Sequence, residues 1–346
     1  MILKLGSRSE LTTREWQFLR FVFGVTLSIA LAYAINWPLS FVAPVFTAKF
    51  LAPGTPRIPL KLLVSILMVI ATAFILAILF TKVLVQYPIV FMMCCTLIVF
   101  WIAYWANSGG NEFVITMLLV GLTLVPLLSF MHPALVTQVT LGLLFSCLIA
   151  LTIAMISNEL FIKGTSPAAK KTAQAQLDKA TKTKLAMLTT VLIIPMLAFF
   201  LFNNLTGGIL VIVFIAIMAL KPDIVAGVQG AKALLIGNAL GGVAAIVVYN
   251  FLIIAPNYTF AILVYASAIC LFTLKILKED KLAPIYTMAL TTMIIIVSGA
   301  SLGDGGASSK FYTRLGQIAL ACTYIIFAMF VVDWLTTRRK NRQSTK

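Results

Sequence analysis

Leu60-Lys-Leu-Leu-Val-Ser-Ile-Leu-Met-Val-Ile-Ala-Thr-Ala-Phe-Ile-Leu-Ala-Ile-Leu-Phe80 carries a single charged side chain, Lys61. A helix rises about 1.5 Å per residue, and a hydrocarbon core about 30 Å thick needs roughly 20 apolar residues to cross it. This stretch is that long. It lacks the polar/apolar alternation of a barrel strand. In lipid every backbone group must bond internally, so an unbroken apolar run reads as a helix. Runs of the same kind recur on both sides of it. The spans expected are 18–35, 37–52, 60–80, 86–105, 113–130, 138–162, 184–202, 208–220, 231–254, 258–276, 283–300 and 315–335. The expected fold class is an all-α integral membrane protein of about twelve transmembrane helices.

Composition agrees. Of 346 residues, 61% are hydrophobic and 10% charged, and the mean hydropathy is +1.06. Soluble domains carry about 25% charged residues. The net charge of +16 would point to nucleic acid in a soluble chain. Here it reads as topology, because basic residues of membrane proteins collect on cytoplasmic loops. With the N-terminus inside, all but Lys82, Lys310 and Arg314 of the 26 lysines and arginines fall on the cytoplasmic side. A wrong span count would scramble that asymmetry. The expected location is a bacterial inner membrane, with both termini cytoplasmic. Residues 1–17 are mixed polar and the first apolar run is long enough to span, so no cleaved signal is expected. Cys94, Cys95, Cys147, Cys270 and Cys322 all sit in apolar runs without C-x-x-C spacing, and read as small buried hydrophobes.

Two expected spans are short. Their firmly apolar parts, 39–51 and 209–220, reach less than about 20 Å as helices. Making either re-entrant would put the later basic loops outside, so both are kept as crossings. They also reveal a repeat. Phe46-Thr-Ala-Lys-Phe-Leu-Ala-Pro53 has a counterpart in Phe214-Ile-Ala-Ile-Met-Ala-Leu-Lys-Pro222. Each is followed by a turn, a lysine (Lys61, Lys232) and a long apolar helix. An even number of spans per half makes the repeats parallel. The chain thus divides into a first six-helix repeat (1–162), a basic cytoplasmic linker (163–183) and a second six-helix repeat with a basic tail (184–346). The linker, rich in Ala, Lys, Gln and Thr, reads as a solvated helix or tether.

The turn after the eighth span reads Lys221-Pro-Asp-Ile-Val-Ala-Gly-Val-Gln-Gly-Ala-Lys-Ala-Leu-Leu-Ile-Gly-Asn-Ala-Leu-Gly-Gly-Val-Ala-Ala. It resembles the signature of the fusaric-acid-resistance and aromatic-acid-exporter superfamily, where a basic helix start precedes a Gly-Thr-x-x-Gly core. Gly237-Asn-Ala-Leu-Gly241 stands for that core, with Leu234 in place of the family's arginine and Asn238 in place of its threonine. Leu19-Arg20-Phe21 and Phe41-Val-Ala-Pro-Val-Phe46 resemble the superfamily's opening and second helix. The layout is most similar to small twelve-span relatives without a large soluble domain. The resemblance implies export of a small amphipathic, anionic or aromatic compound. It also implies an adaptor of the membrane-fusion type as partner.

Read from the residues themselves, Arg20, Lys49, Arg57, Lys61, Lys221 and Lys232 are either topology markers that snorkel or a basic vestibule for an anionic substrate. Asp223, at a helix start, caps, pairs with a neighbouring lysine, or carries a proton. Glu112 is the second proton candidate. Gly237 and Gly241 lie one turn apart and form either a small-residue packing face or the lining of a path. His132 is the only histidine, so a multi-His metal site is excluded, and no phosphate-binding G-x-x-x-x-G-K-[ST] is present. No catalytic constellation, cofactor motif or nucleic-acid role is expected. The readings left open are an exporter component, an anion channel, and a membrane scaffold without transport; assembly of several copies stays open too.

Overall fold

The computed structural model of the chain describes residues 12–37, 39–52, 55, 59–84, 86–131, 133–161, 178–203, 224–278 and 282–301, with isolated positions between 211 and 220 and between 312 and 330. Among the described residues all regular structure is helical. The helices are α1 (Thr13–Ile35), α2 (Val42–Phe50), α3 (Leu60–Leu84), α4 (Pro88–Ala106), α5 (Glu112–Met131), α6 (Pro133–Leu160), α7 (Lys179–Phe202), α8 (Ile224–Ile254), α9 (Tyr258–Lys278) and α10 (Ala283–Ser301).

Seven of them are long and apolar enough to cross a membrane, and α5 and α10 carry the shorter apolar stretches Phe113–Ser129 and Ala283–Ser298. Their outer faces are apolar as well. Met68, Ile75, Leu79 and Val83 of α3 are exposed, as are Ile89, Met93, Leu97 and Trp101 of α4. A water-soluble surface does not carry an apolar patch of that extent. The chain is therefore an all-helical, multi-pass membrane protein.

Local chemistry sets the ends. The Glu15 carboxylate accepts from the Thr12 backbone N–H at 2.8 Å and from its hydroxyl at 3.0 Å, tying down the first turn of α1. At the other end Asn36 adopts a left-handed conformation (φ 48°) and its N–H closes on the Ala32 carbonyl. Proline opens α4, where a missing N–H costs nothing. Several helices outrun the apolar stretches that announce them. For instance α7 begins at Lys179, inside the expected linker, and α8 at Ile224. Helical hydrogen bonding continues past the apolar run into polar sequence, which hydropathy does not register.

The second expected span, 37–52, is shorter as a helix than as an apolar run. α2 holds nine residues, about 13 Å. Leu39, Ser40 and Phe41 form the turn that feeds it. Ala43, Pro44, Phe46, Thr47, Ala48 and Phe50 are buried, so α2 is sheathed in protein. That is where short or broken helices are tolerated at membrane depth. Its depth can be read against α6. The Leu39 carbonyl accepts from Ser146 Oγ, while the Leu51 carbonyl and Asn158 of α6 share one partner, Arg20. Residues 146 to 158 of α6 cover about 18 Å.

Packing joins distant parts of the chain. α1 lies on α9, α4 on α7, α3 on α5, α2 on α6 and, most extensively, α8 on α10. One core cluster gathers α1, α2, α3, α6 and the inner faces of α8, α9 and α10. A second is built around α4, α7 and part of α5.

Candidate functional site

Arg20, Gly24 and Ser28 recur every four residues and so share one face of α1. All three are buried, at 1% exposure for Arg20. That face meets α2 and α6. Arg20 Nη2 donates to the Leu51 carbonyl at 3.2 Å, just past the end of α2, and Nη1 donates to Asn158 Oδ1 of α6 at 3.2 Å. One turn on, a side chain at Gly24 would run into Leu51 and would sit 2.8 Å from Ser157 Oγ, so glycine is what lets the three helices converge. A further turn on, the Thr47 hydroxyl lies 3.1 Å from Ser28 Oγ and 2.9 Å from the Ala43 carbonyl.

The electrostatics of Arg20 are unusual. A guanidinium has five N–H donors, and charge-assisted bonds to carboxylates run near 2.7–2.9 Å. Arg20 makes two longer bonds, both to neutral oxygens, and its Nε is buried without a partner. Ser157 Oγ is likewise buried without a partner. Among the described residues no carboxylate pairs with Arg20; the neighbouring Glu159 is exposed. The partial negative charge at the C-terminal end of α2 offsets part of the cost of burial. An uncompensated charge inside a membrane protein remains expensive, and such residues mark functional positions by default.

A second polar contact lies further along α1. The Tyr33 and Tyr265 hydroxyls are 2.8 Å apart, and Tyr258 of α9 donates to the Ala30 carbonyl at 2.9 Å. Tyr265 is fully buried. These bonds fasten α1 to α9.

The remaining basic residues are dispersed. Lys49, in the last turn of α2, is exposed with its Nζ 5.5 Å from the centre of the Phe113 ring. Lys61 is exposed at the start of α3. Arg57, Lys221 and Asp223 lie outside the described residues, as do the side chains of Lys232, in α8, and Glu112, at the start of α5. Of the six basic candidates only Arg20 is seen inside the helix bundle. Gly237 and Gly241 are buried against α10. A Cβ at Gly237 would sit 3.1 Å from the Ile285 carbonyl, and one at Gly241 would press on the Ala289 carbonyl and lie 2.8 Å from Thr292 Cβ. Between them Asn238 Oδ1 accepts from the Thr292 hydroxyl at 2.7 Å. The Gly-Asn-x-x-Gly core therefore fastens α8 to α10. Among the described residues no cluster of His, Cys, Asp and Glu is arranged to hold a metal.

Sequence reasoning singled out Arg20 but missed Gly24, the Leu51 carbonyl, Ser157 and Asn158. The one signal available was Ser157-Asn158, a polar pair near the end of an otherwise apolar span.

Residues 17–157 match the model of a family described as a protein of unknown function, DUF2955. The matched segment holds Arg20, Gly24, Leu51 and Ser157. No curated protein and no solved structure matches the chain.

Proposed function

We propose that the chain is the membrane component of an exporter that carries a small amphipathic anion across a bacterial inner membrane. The observation that carries this reading is Arg20: a fixed positive charge, 1% exposed, eight residues into an apolar helix, bonded only to neutral oxygens. A charge kept at that cost without a counter-ion fits a protein whose substrate supplies one. Its helix neighbours are apolar, which suits a substrate with an apolar body. The absence of a nucleotide-binding motif leaves an ion gradient or a partner as the energy source. The resemblance to aromatic-acid exporters adds an aromatic acid as substrate class and a membrane-fusion adaptor as partner.

The same proposal includes two parallel six-span repeats. The packing supports it. The first helix of each half lies on the fourth span of the other, α1 on α9 and α7 on α4. The first helix of each half also donates to the end of its own short span, Arg20 to the Leu51 carbonyl and Thr189 to the Ala219 carbonyl at 2.8 Å.

The test is flux in proteoliposomes for a panel of labelled benzoate, phenylacetate and butyrate, with and without a pH gradient. Saturable flux driven uphill by the gradient is expected. Rapid flux indifferent to the gradient would make the protein an anion channel. No flux of any anion would leave a scaffold.

A further inference from the structure

α4 and α7 pack side by side, and each turns an apolar stripe outward. On α4, Met93, Leu97, Trp101 and Trp105 recur every fourth residue and are 42–69% exposed. On α7 the exposed stripe runs from Lys184 through Met187 to Val191. We infer that the surface seam between α4 and α7, at the end that carries Trp105 and Lys184, binds an anionic phospholipid. The acyl chain lies on the two stripes and the phosphate meets Lys184, with Lys179 and Lys182 just beyond it. The inference is independent of the transport reading.

The contacts put both ends on one membrane face. α5 follows α4 after residues 107–111, and Phe113 near its start meets Phe50 at the end of α2, with ring centres 4.8 Å apart. Leu51, the next residue, accepts from Arg20 near the start of α1, so α4 ends where α1 begins. α9 starts against the end of α1, with Tyr258 on the Ala30 carbonyl, so α9 ends and α10 starts on that same face. Gly237 and Gly241 of α8 meet Ile285 and Ala289 of α10 in the same order, so α8 runs parallel to α10 and starts there too. Ala219, shortly before that start, accepts from Thr189 of α7. The residues of α7 after Thr189 are apolar and belong in the bilayer, so Lys179, Lys182 and Lys184 stand at the face where α4 ends. Ala106, the last residue of α4, and Leu188, one turn past Lys184, pack against the same core cluster.

Charge and aromatic chemistry both select the occupant. The dipole of α7 makes its first turn positive and disfavours cations there. That turn holds no acidic residue, and the exposed Asp178 before it makes no capping bond and offsets one charge of three. By contrast Lys275 and Lys278 sit in the last turn of α9, where the dipole favours them. The lysines of α7 therefore call for negative charge from outside the chain, and a phosphate group in the adjoining leaflet supplies it. Lys184 can lay its stem along Met187 and raise its ammonium to phosphate level. On α4 the apolar stripe ends in Trp101 and Trp105, and Trp101 meets Tyr104 edge-on with ring centres 6.1 Å apart. Trp and Tyr settle at headgroup depth, the level at which the phosphate lies. The competitor is topology alone. It asks only that lysines lie on this face, and neither the unfavoured helix end nor the aromatic neighbour follows from it.

The test uses the full chain in phosphatidylcholine nanodiscs that hold a small fraction of brominated phosphatidylglycerol or, as control, brominated phosphatidylcholine, and reads tryptophan quenching. Wild type should be quenched more by the anionic lipid. The excess should vanish in Trp101→Phe/Trp105→Phe, which removes the reporters at the seam. Lys184→Gln should cut the preference for the anionic lipid about fivefold, the contribution of one lysine at an anionic surface. Lys179→Gln/Lys182→Gln/Lys184→Gln should abolish it, and the matching triple arginine variant should keep it. Lys275→Gln/Lys278→Gln, at the end of α9, should leave it unchanged. Equal quenching of wild type by the two lipids would overturn the site, as would an excess that survives the triple glutamine variant. An excess undiminished in Trp101→Phe/Trp105→Phe would place the lipid elsewhere, and an equal loss in the α9 pair would reduce the effect to general surface charge; either result overturns the seam.

Discussion

Gly241 gives the sharpest residue-level test of packing. A methyl group there would press on the Ala289 carbonyl, a backbone atom that cannot rotate away. Gly241→Ala should cost about 1–3 kcal/mol, the range of overpacking in tight interiors. Gly237→Ala meets its nearest backbone atom at 3.1 Å and should cost less. Thermal unfolding in mild detergent orders the two, and equal stability of Gly241→Ala and wild type would mean that α8 and α10 do not approach so closely. Arg20→Lys probes the fork rather than the charge. One ammonium cannot reach both the Leu51 carbonyl and Asn158 Oδ1 in the guanidinium's planar geometry. The variant should fold yet transport more slowly, whereas a purely topological role would leave its rate unchanged. Sequence alone marks Arg20 as basic and near the cytoplasmic end of its span. Its burial was not legible, because it depends on Asn158, which is 138 residues away.

At the scale of elements, the hydroxyl bridge between α1 and α9 is open to a double-mutant cycle. Tyr33→Phe and Tyr265→Phe each remove one end of the same 2.8 Å bond. The coupling energy should be about 0.5–1.5 kcal/mol, as for interhelical bonds in membranes. A coupling of zero would mean that the hydroxyls do not bond. Lys61 opens α3, whereas Lys232, expected at a matching helix start, is the ninth residue of α8, because that helix begins ahead of its apolar stretch. If they attract an anionic substrate, Lys→Gln at either should raise KM several-fold. The rise should fade at high salt, because surface charges are screened over about 10 Å. Unchanged kinetics in both would return these residues to topology. Which runs are helices was legible throughout the described elements, since hydropathy and length decide it in lipid. Two things were not. Helix ends such as Lys179 run into polar sequence that hydropathy scores as loop. The length of the helix within 37–52 was the other: the run is apolar through burial against α1 and α6, and nine of its residues form α2.

At the scale of the whole molecule, orientation and coupling belong together. If the distribution of basic residues sets the topology, the 163–183 linker and the C-terminus face the cytoplasm, with His132 and Gly305 on the other side. Single-cysteine labelling in intact cells should reach positions 132 and 305 and spare the linker; labelling of the linker from outside would overturn the twelve-span order. Asp223→Asn separates coupling from passage. If Asp223 carries the driving proton, uphill transport should fail while downhill exchange survives, and equal loss of both would assign it another role. The most direct measurement of the central claim is the initial rate of benzoate counterflow into proteoliposomes holding equal, quantified amounts of folded wild-type or Arg20→Gln protein. The account expects the variant to lose at least about tenfold in rate, the effect of removing one charge-assisted contact from a desolvated site. Counterflow by Arg20→Gln at the wild-type rate would contradict it.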